Sequence, residues 1–335
     1  MLTRLFLAAW LLVLLGGCAA NRDEVIPPLS AQVNFPAIGL FNQLPGNRLE
    51  SWCDQQQKRQ HADCQAGTLE LTQLQSRLAD SGLFPLITLE AGADYELLLS
   101  SAQIEDHKVR AELILAWRGI LLHRYEYQVD TTEASAKIVR LLIADMLQDK
   151  VFSSGYLAGA LESDNYEKDL QAPAKVANFQ LSHRLTYNDP FQGSILTYKD
   201  PAYSSDRIEV SVYPIPSSDL SNTPAIIEEE TAKLRGNLSD FAKQHNLPPL
   251  TMSQDKMLDW TQQSKQFQGY YLDASIVSRD TEPFYASYFF FIQQDKIVRF
   301  TTTFPSDLAM NFVKEALPQM AIPGESAFMA KLRKP

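Results

Sequence analysis

The segment CDQQQKRQHADC, from Cys53 to Cys64, gathers residue types that bind metals: two thiols, His61 and Asp63. Thiolate, imidazole and carboxylate all ligate zinc, but common zinc motifs separate paired ligands by about two to four residues, and this spacing matches none of them. The same cysteines could instead close a disulfide across a polar surface loop. The remaining histidines, His107, His123, His183 and His245, lie outside helical reach of one another. No H-E-x-x-H helix, G-x-S-x-G elbow or phosphate-cradling glycine loop occurs. His123 stands in a predicted strand beside Arg124 and Tyr125, where an exposed sheet position is a simpler reading than a general base. Gly155 and Gly159 in GYLAG lack the preceding strand and following lysine of a nucleotide loop. Glu228, Glu229 and Glu230 open a predicted helix, where carboxylates suit the positive end of the dipole. The sequence thus nominates no catalytic, cofactor-binding or metal-ligating residue.

The third cysteine has a different setting. Arg4 precedes an apolar run from Leu5 to Leu15, too short for a bilayer core that needs about 20 residues and of the length of a signal-peptide core. Leu15-Gly16-Gly17-Cys18 follows, and this resembles the lipobox of bacterial lipoproteins. The resemblance implies that residues 1–17 are removed and that Cys18 carries a diacylglycerol and acyl chains such as palmitate. Two or three chains on one residue hold a protein firmly to a bilayer. Ala19, where an aspartate would retain such proteins at the inner membrane, implies the periplasmic face of the outer membrane. Residues 18–32, with Pro27-Pro28, read as an extended tether. With Cys18 acylated, Cys53 and Cys64 remain as an even pair in an oxidising compartment. A disulfide is the expectation, worth on the order of 3 kcal/mol in the chain-entropy model.

Composition narrows the partners. The chain has 335 residues, 45% hydrophobic and 21% charged, ample for two globular domains. The net charge is −10, and loss of Arg4 with the leader makes it −11. An acidic body without a basic run argues against nucleic acid as a partner.

The elements that would position any site read as α+β, in two domains each built from a largely antiparallel sheet packed with helices. The first spans 33–150. TLELTQLQSRLADSG has Leu71, Leu74 and Leu78 at helical spacing, between a Thr68 cap and Gly82. PLITLE, DYELLLSS and KVRAELILAW read as strands, the last turning at Arg118-Gly119 into ILLHRYEYQV. A helix follows with Val139, Leu142, Ile143, Met146 and Leu147 inward. This order is similar to the α/β domains of transport-auxiliary and assembly lipoproteins. Residues 151–177, charged and interrupted by Pro173, read as a linker, with an irregular helix over part of it as the alternative.

The second domain is expected over 178–322, with 323–335 as a tail. Short strands lead to RIEVSVYPI, a helix from Thr223-Pro224 to about His245, three strands near 266–278, 284–293 and 296–304, and a helix from Ser306-Asp307. FYASYFFFI is apolar on both faces, as a strand covered on both sides should be. This order resembles the PsbP family of the thylakoid lumen and its bacterial envelope relatives. That family's members act mostly as accessory or binding proteins, so the resemblance implies a non-catalytic adaptor of a transport or assembly machine, without cofactor, bound to the membrane through its lipid and to another envelope protein. The alternatives are a cell-wall or lipid hydrolase whose site is assembled from distant residues, or a carrier of a small ligand or lipid.

Overall fold

The computed structural model describes residues 35–42, 71–203, 205–248, 250–262, 264–276 and 284–334. The fold is α+β with two sheets. The described chain divides into two compact units, one running to Ile114 and resuming over Tyr125–Asp145, the other joining Leu115–Arg124 to Met146–Pro335.

The first sheet has the order β2-β1-β3-β4-β5. β1 (Ile38–Asn42) is parallel to β2 (Ile87–Thr88) and β3 (Tyr95–Glu105). β4 (Lys108–Trp117) and β5 (Ile120–Asp130) follow through two-residue turns. Asp106 and His107 have φ of 49° and 60°, and Arg118 and Gly119 46° and 79°. Positive φ at both central residues is the turn geometry whose twist matches the flanking strands. PLITLE yields only the two residues of β2, after which Glu90 N donates to Thr88 Oγ1 at 3.0 Å and turns the chain. Helix α1 (Leu71–Asp80) buries Leu74 and Leu78 and ends before Gly82, at φ 66°. Helix α2 (Ala134–Asp149) buries Ile138, Val139, Leu142, Ile143 and Met146, while Leu147 stays half-exposed.

Residues 151–177 correct the expectation of connecting chain. They form α3 (Ser154–Leu161), α4 (Tyr166–Asp169) and β6 (Lys175–Val176), and Tyr166, Leu170 and Val176 belong to the core of the second sheet. Their apolar residues are widely spaced among charges, so no period of 2 or 3.6 betrays them. The expected tail at 323–335 likewise contains a helix, α7 (Ala327–Arg333), capped by Ser326 Oγ accepting from Met329 N at 3.3 Å and burying Phe328 and Met329.

The second sheet is antiparallel over its paired strands and runs β10-β12-β13-β14-β9-β8-β7-β6, with β11 also on β12. Its strands are β7 (Phe179–Thr186), β8 (Ser194–Lys199), β9 (Arg207–Pro214), β10 (Thr251–Met252), β11 (Lys256–Gln262), β12 (Lys265–Ile276), β13 (Phe284–Gln293) and β14 (Lys296–Thr302). Alternation on β13 sends Phe289 and Phe291 to one core and Tyr288 and Phe290 to the other. Helix α5 (Thr223–Gln244) covers the second of these faces through Ile226, Ile227 and Leu234, and α6 (Ser306–Ala316) covers the first through Phe312 and Val313. The cap of α5 is Asn222, one residue before the expected Thr223; its Oδ1 accepts from Ala225 N at 3.3 Å.

Helix α6 begins after Pro305, which has no side-chain cap to offer. Asp273 of β12 supplies one from across the sheet. Its carboxylate accepts from Ser306 N at 3.2 Å, Ser306 Oγ at 2.9 Å and Ser287 Oγ at 2.6 Å. An anion at a helix N-terminus is favourable, so this contact ties α6 to the sheet.

Candidate functional site

Three residues of the sequence reading, Cys18, Cys53 and Cys64, lie outside the described residues, as do His61 and Asp63. His107 sits in the β3–β4 turn, and His183 and His245 are exposed. His123 is half-buried, with Nδ1 3.0 Å from the Tyr156 hydroxyl of α3. Burial and then Asp149 raise the Tyr156 pKa, so that hydroxyl stays protonated. Gly155 and Gly159 are helical, within α3. Among the described residues, no group of three His, Cys, Asp or Glu side chains is placed to hold a metal ion. No helix among them is long and apolar enough to cross a membrane.

The structure assembles a buried ion network whose members the sequence does not connect. Lys296, with no exposed surface, places Nζ 3.3 Å from Asp164 Oδ1, donates to Asp295 Oδ1, and donates to the Gly324 carbonyl at 3.2 Å. Arg333 of α7 donates to Asp295 Oδ2 at 2.9 Å, to Glu325 Oε1 and to the Ile215 carbonyl. Ser326 Oγ donates to Asp164 Oδ2 at 3.4 Å. Burial lifts the Asp164 carboxyl above the ordinary carboxylate range, while Lys296 pulls it down. Perturbed carboxylates can mark functional sites, but this one is enclosed, and its ion pairs join the α3–α4 segment, the β13–β14 turn and the C-terminal helix. It is a clamp. The residues come from segments that read as linker, hairpin turn and tail, where charge ordinarily signals solvation.

Concave surface lies beside the first turns of α5. One cleft, of about 200 Å³, is walled by Phe191, Tyr213, Pro214, Ile215, Pro216 and Ile226 and rimmed by Glu229, Glu230 and Lys233. The Tyr213 hydroxyl donates to Glu230 Oε2 at 2.6 Å, and Lys233 Nζ lies 2.8 Å from Glu229 and 3.2 Å from Glu230. Glu230 is therefore engaged on both oxygens rather than simply solvated as its place at the helix start suggested. Burial raises the Tyr213 pKa against the opposing charge of Arg299, whose guanidinium stands 5.8 Å from the ring centroid. The hydrogen bond to Glu229, foremost, raises that of Lys233. Both groups are held protonated, which suits them to donate hydrogen bonds and ill suits them to accept a proton. A second cleft, of about 180 Å³, lies between Thr223, Pro224 and Ile227 of α5 and Met257, Tyr270, Phe290 and Ile292 of the sheet. Ligand pockets are commonly about 300–1,000 Å³, whereas a cavity of about 150 Å³ holds one benzene. Each cleft is thus scaled to a single apolar side chain.

The sequence matches no protein-family model and no curated protein. Among solved structures, the chain is similar to the cyanobacterial PsbP (CyanoP) of Synechocystis at 11% identity, with a TM-score of 0.30 over 46% of this chain and 93% of that one. It is also similar to the extracellular domain of PknH from Mycobacterium tuberculosis at 9% identity, with a TM-score of 0.22 over 56% of this chain and 97% of that one. Both likenesses are weak.

Proposed function

We propose that this protein is a lipid-anchored component of a bacterial envelope, held by Cys18 on the periplasmic face of the outer membrane, that works by binding another envelope protein. The observation that supports the binding reading is the scale and lining of the two clefts beside the first turns of α5: apolar walls and room for one side chain each, with Tyr213 and Lys233 held as donors at the first. These two clefts suit a side chain of a protein partner better than a drug-sized ligand. The address rests on the lipobox resemblance at Leu15-Gly16-Gly17-Cys18. A tether confined to the membrane raises the effective concentration of the body for partners there, so modest affinity suffices. With a net charge of −11 after leader removal, association should weaken with salt if the partner's patch is basic.

The test takes cells expressing wild-type or Cys18→Ser chain. The wild type should fractionate with outer membranes and the variant should remain an uncleaved precursor or become soluble; unchanged partition of the variant overturns the anchor. The purified body should show no turnover on peptidoglycan, phospholipid or ester substrates. Hydrolysis abolished by one point mutation would replace the adaptor reading with the hydrolase.

A further inference from the structure

Strand β11 closes one edge of the second sheet, and among the described residues it pairs with β12 alone. Gln262 pairs with Lys265 at the head of the hairpin. Hydrogen-bonded and non-bonded pairs alternate along an antiparallel ladder, and residues flanking a two-residue turn form a bonded pair. Gln262, Trp260, Leu258 and Lys256 therefore direct their backbone groups to β12, and Met257, Asp259 and Thr261 direct theirs outward. An open edge of this kind is a template for another strand.

The edge is held firmly from below. Leu258 is buried, and the Trp260 ring stacks on Phe267 at 5.1 Å and meets Phe291 edge-on at 5.6 Å. Gly269, between Leu258 and Phe291 in the register, leaves room for the Phe291 ring, whose atoms would stand 2.4 Å from an added Cβ. On the opposite face, the side chains of Met257, Asp259 and Thr261 point toward the α5 side. Met257 is 68% exposed and forms one wall of the 180 Å³ cleft. The Asp259 carboxylate accepts from Gln266 and Gln268 amides at 3.0–3.2 Å; no lysine or arginine is among the partners so identified.

We propose that the outer edge of β11 and the cleft beside Met257 dock an extended segment of a partner protein, one that carries an apolar residue and, two positions away on the same face, a lysine or arginine. Three features on the edge select this occupant. The outward backbone groups of 257, 259 and 261 call for a strand, which takes its affinity from main-chain bonds and its specificity from pockets for alternate side chains. The cleft has the volume and lining for one apolar side chain next to Met257. Asp259, two residues on, favours an opposite charge directly across. A second copy of this chain laid antiparallel about Asp259 would set like charges against each other, which is destabilising. The inference rests on the adaptor reading and names where the partner binds.

The experiment uses the full chain in cells, with the photocrosslinker p-benzoylphenylalanine placed at Met257, at Thr261, or at Lys175 on the β6 edge. Crosslinks should form from 257 and 261 and not from 175, and mass spectrometry of the adduct should map a segment with an apolar residue and a Lys or Arg two positions apart, apolar first if the partner strand is parallel and last if it is antiparallel. Thr261→Pro removes an outward N–H without removing a ladder bond. With the crosslinker at 257, that variant should lower the yield about tenfold, the order expected for lost main-chain bonding. Asp259→Lys, which leaves the backbone free, should also lower it several-fold, and both variants should melt as the wild type does. Yields insensitive to both substitutions, an adduct that is a dimer of this chain, or equal crosslinking from Lys175 would overturn the site. Crosslinks from other faces with none from the edge would overturn it while leaving the adaptor reading, and none from any face would overturn both.

Discussion

Replacing Lys296 by methionine removes the cation at the centre of the buried network and keeps its apolar stem. Among the described residues, Asp164 would then keep only the Ser326 hydroxyl, at 3.4 Å, while Asp295 retains Arg333 at 2.9 Å. Breaking a buried pair from one side typically costs about 3–5 kcal/mol. A ceiling follows independently, because the stranded carboxyl can escape by taking a proton. Protonating an aspartate of ordinary pKa ~3.9 at pH 7 costs about 1.36 kcal/mol for each of roughly three units, or about 4 kcal/mol. For a unit of this size each kcal/mol moves Tm by about 2–4 °C, so a drop of about 8–16 °C is expected. The folded-state pKa of Asp164 in the variant lies above its unfolded value, so the native state binds more protons and the deficit shrinks as pH falls. At pH 5 the same arithmetic leaves about 1–2 kcal/mol. Urea denaturation of both proteins at pH 7 and pH 5, followed by tryptophan fluorescence, reads the difference. Adding Asp164→Asn to the variant should recover most of the loss at pH 7. A penalty under about 1 kcal/mol at pH 7, or one that stays constant to pH 5, would refute the reasoning that Lys296 chiefly neutralises Asp164.

Asp273→Ala should destabilise the second unit by about 1–2 kcal/mol through loss of the cap on α6, measured by the same denaturation; an unchanged midpoint would show that the contact is dispensable. Intact mass under alkylation should find Cys53 and Cys64 blocked until reductant is added, and two free thiols in protein purified without reductant would refute the disulfide. Limited proteolysis should spare 151–177, whose Tyr166 and Leu170 are buried; a first cut there would restore the linker reading.

Most of the second sheet was legible from its sequence. Alternation in KIVRFTTTF and two-sided apolarity in FYASYFFFI match β14 and β13, and the Thr223-Pro224 start places α5 within one residue of its cap. Arg118-Gly119 marks the β4–β5 turn for the same reason. These are local signals, because burial with a period of 2 or 3.6 and the conformational demands of a turn act over a few neighbouring residues. The lipobox resemblance is local too, readable whatever the body does.

The ion network was not legible. Asp164, Asp295, Lys296 and Arg333 come from a charged stretch, a hairpin turn and the chain's last residues, and each alone reads as solvated. Only folding brings each within 3.3 Å of an opposite charge and excludes water, and it is the exclusion of water that converts surface charge into a clamp. The same holds for 151–177, where Tyr166, Leu170 and Val176 are buried by strands distant in sequence. That β11 pairs with β12 alone among the described residues is likewise a property of strand order, since a strand's alternation tells which face is buried and never whether a neighbour lies beside it.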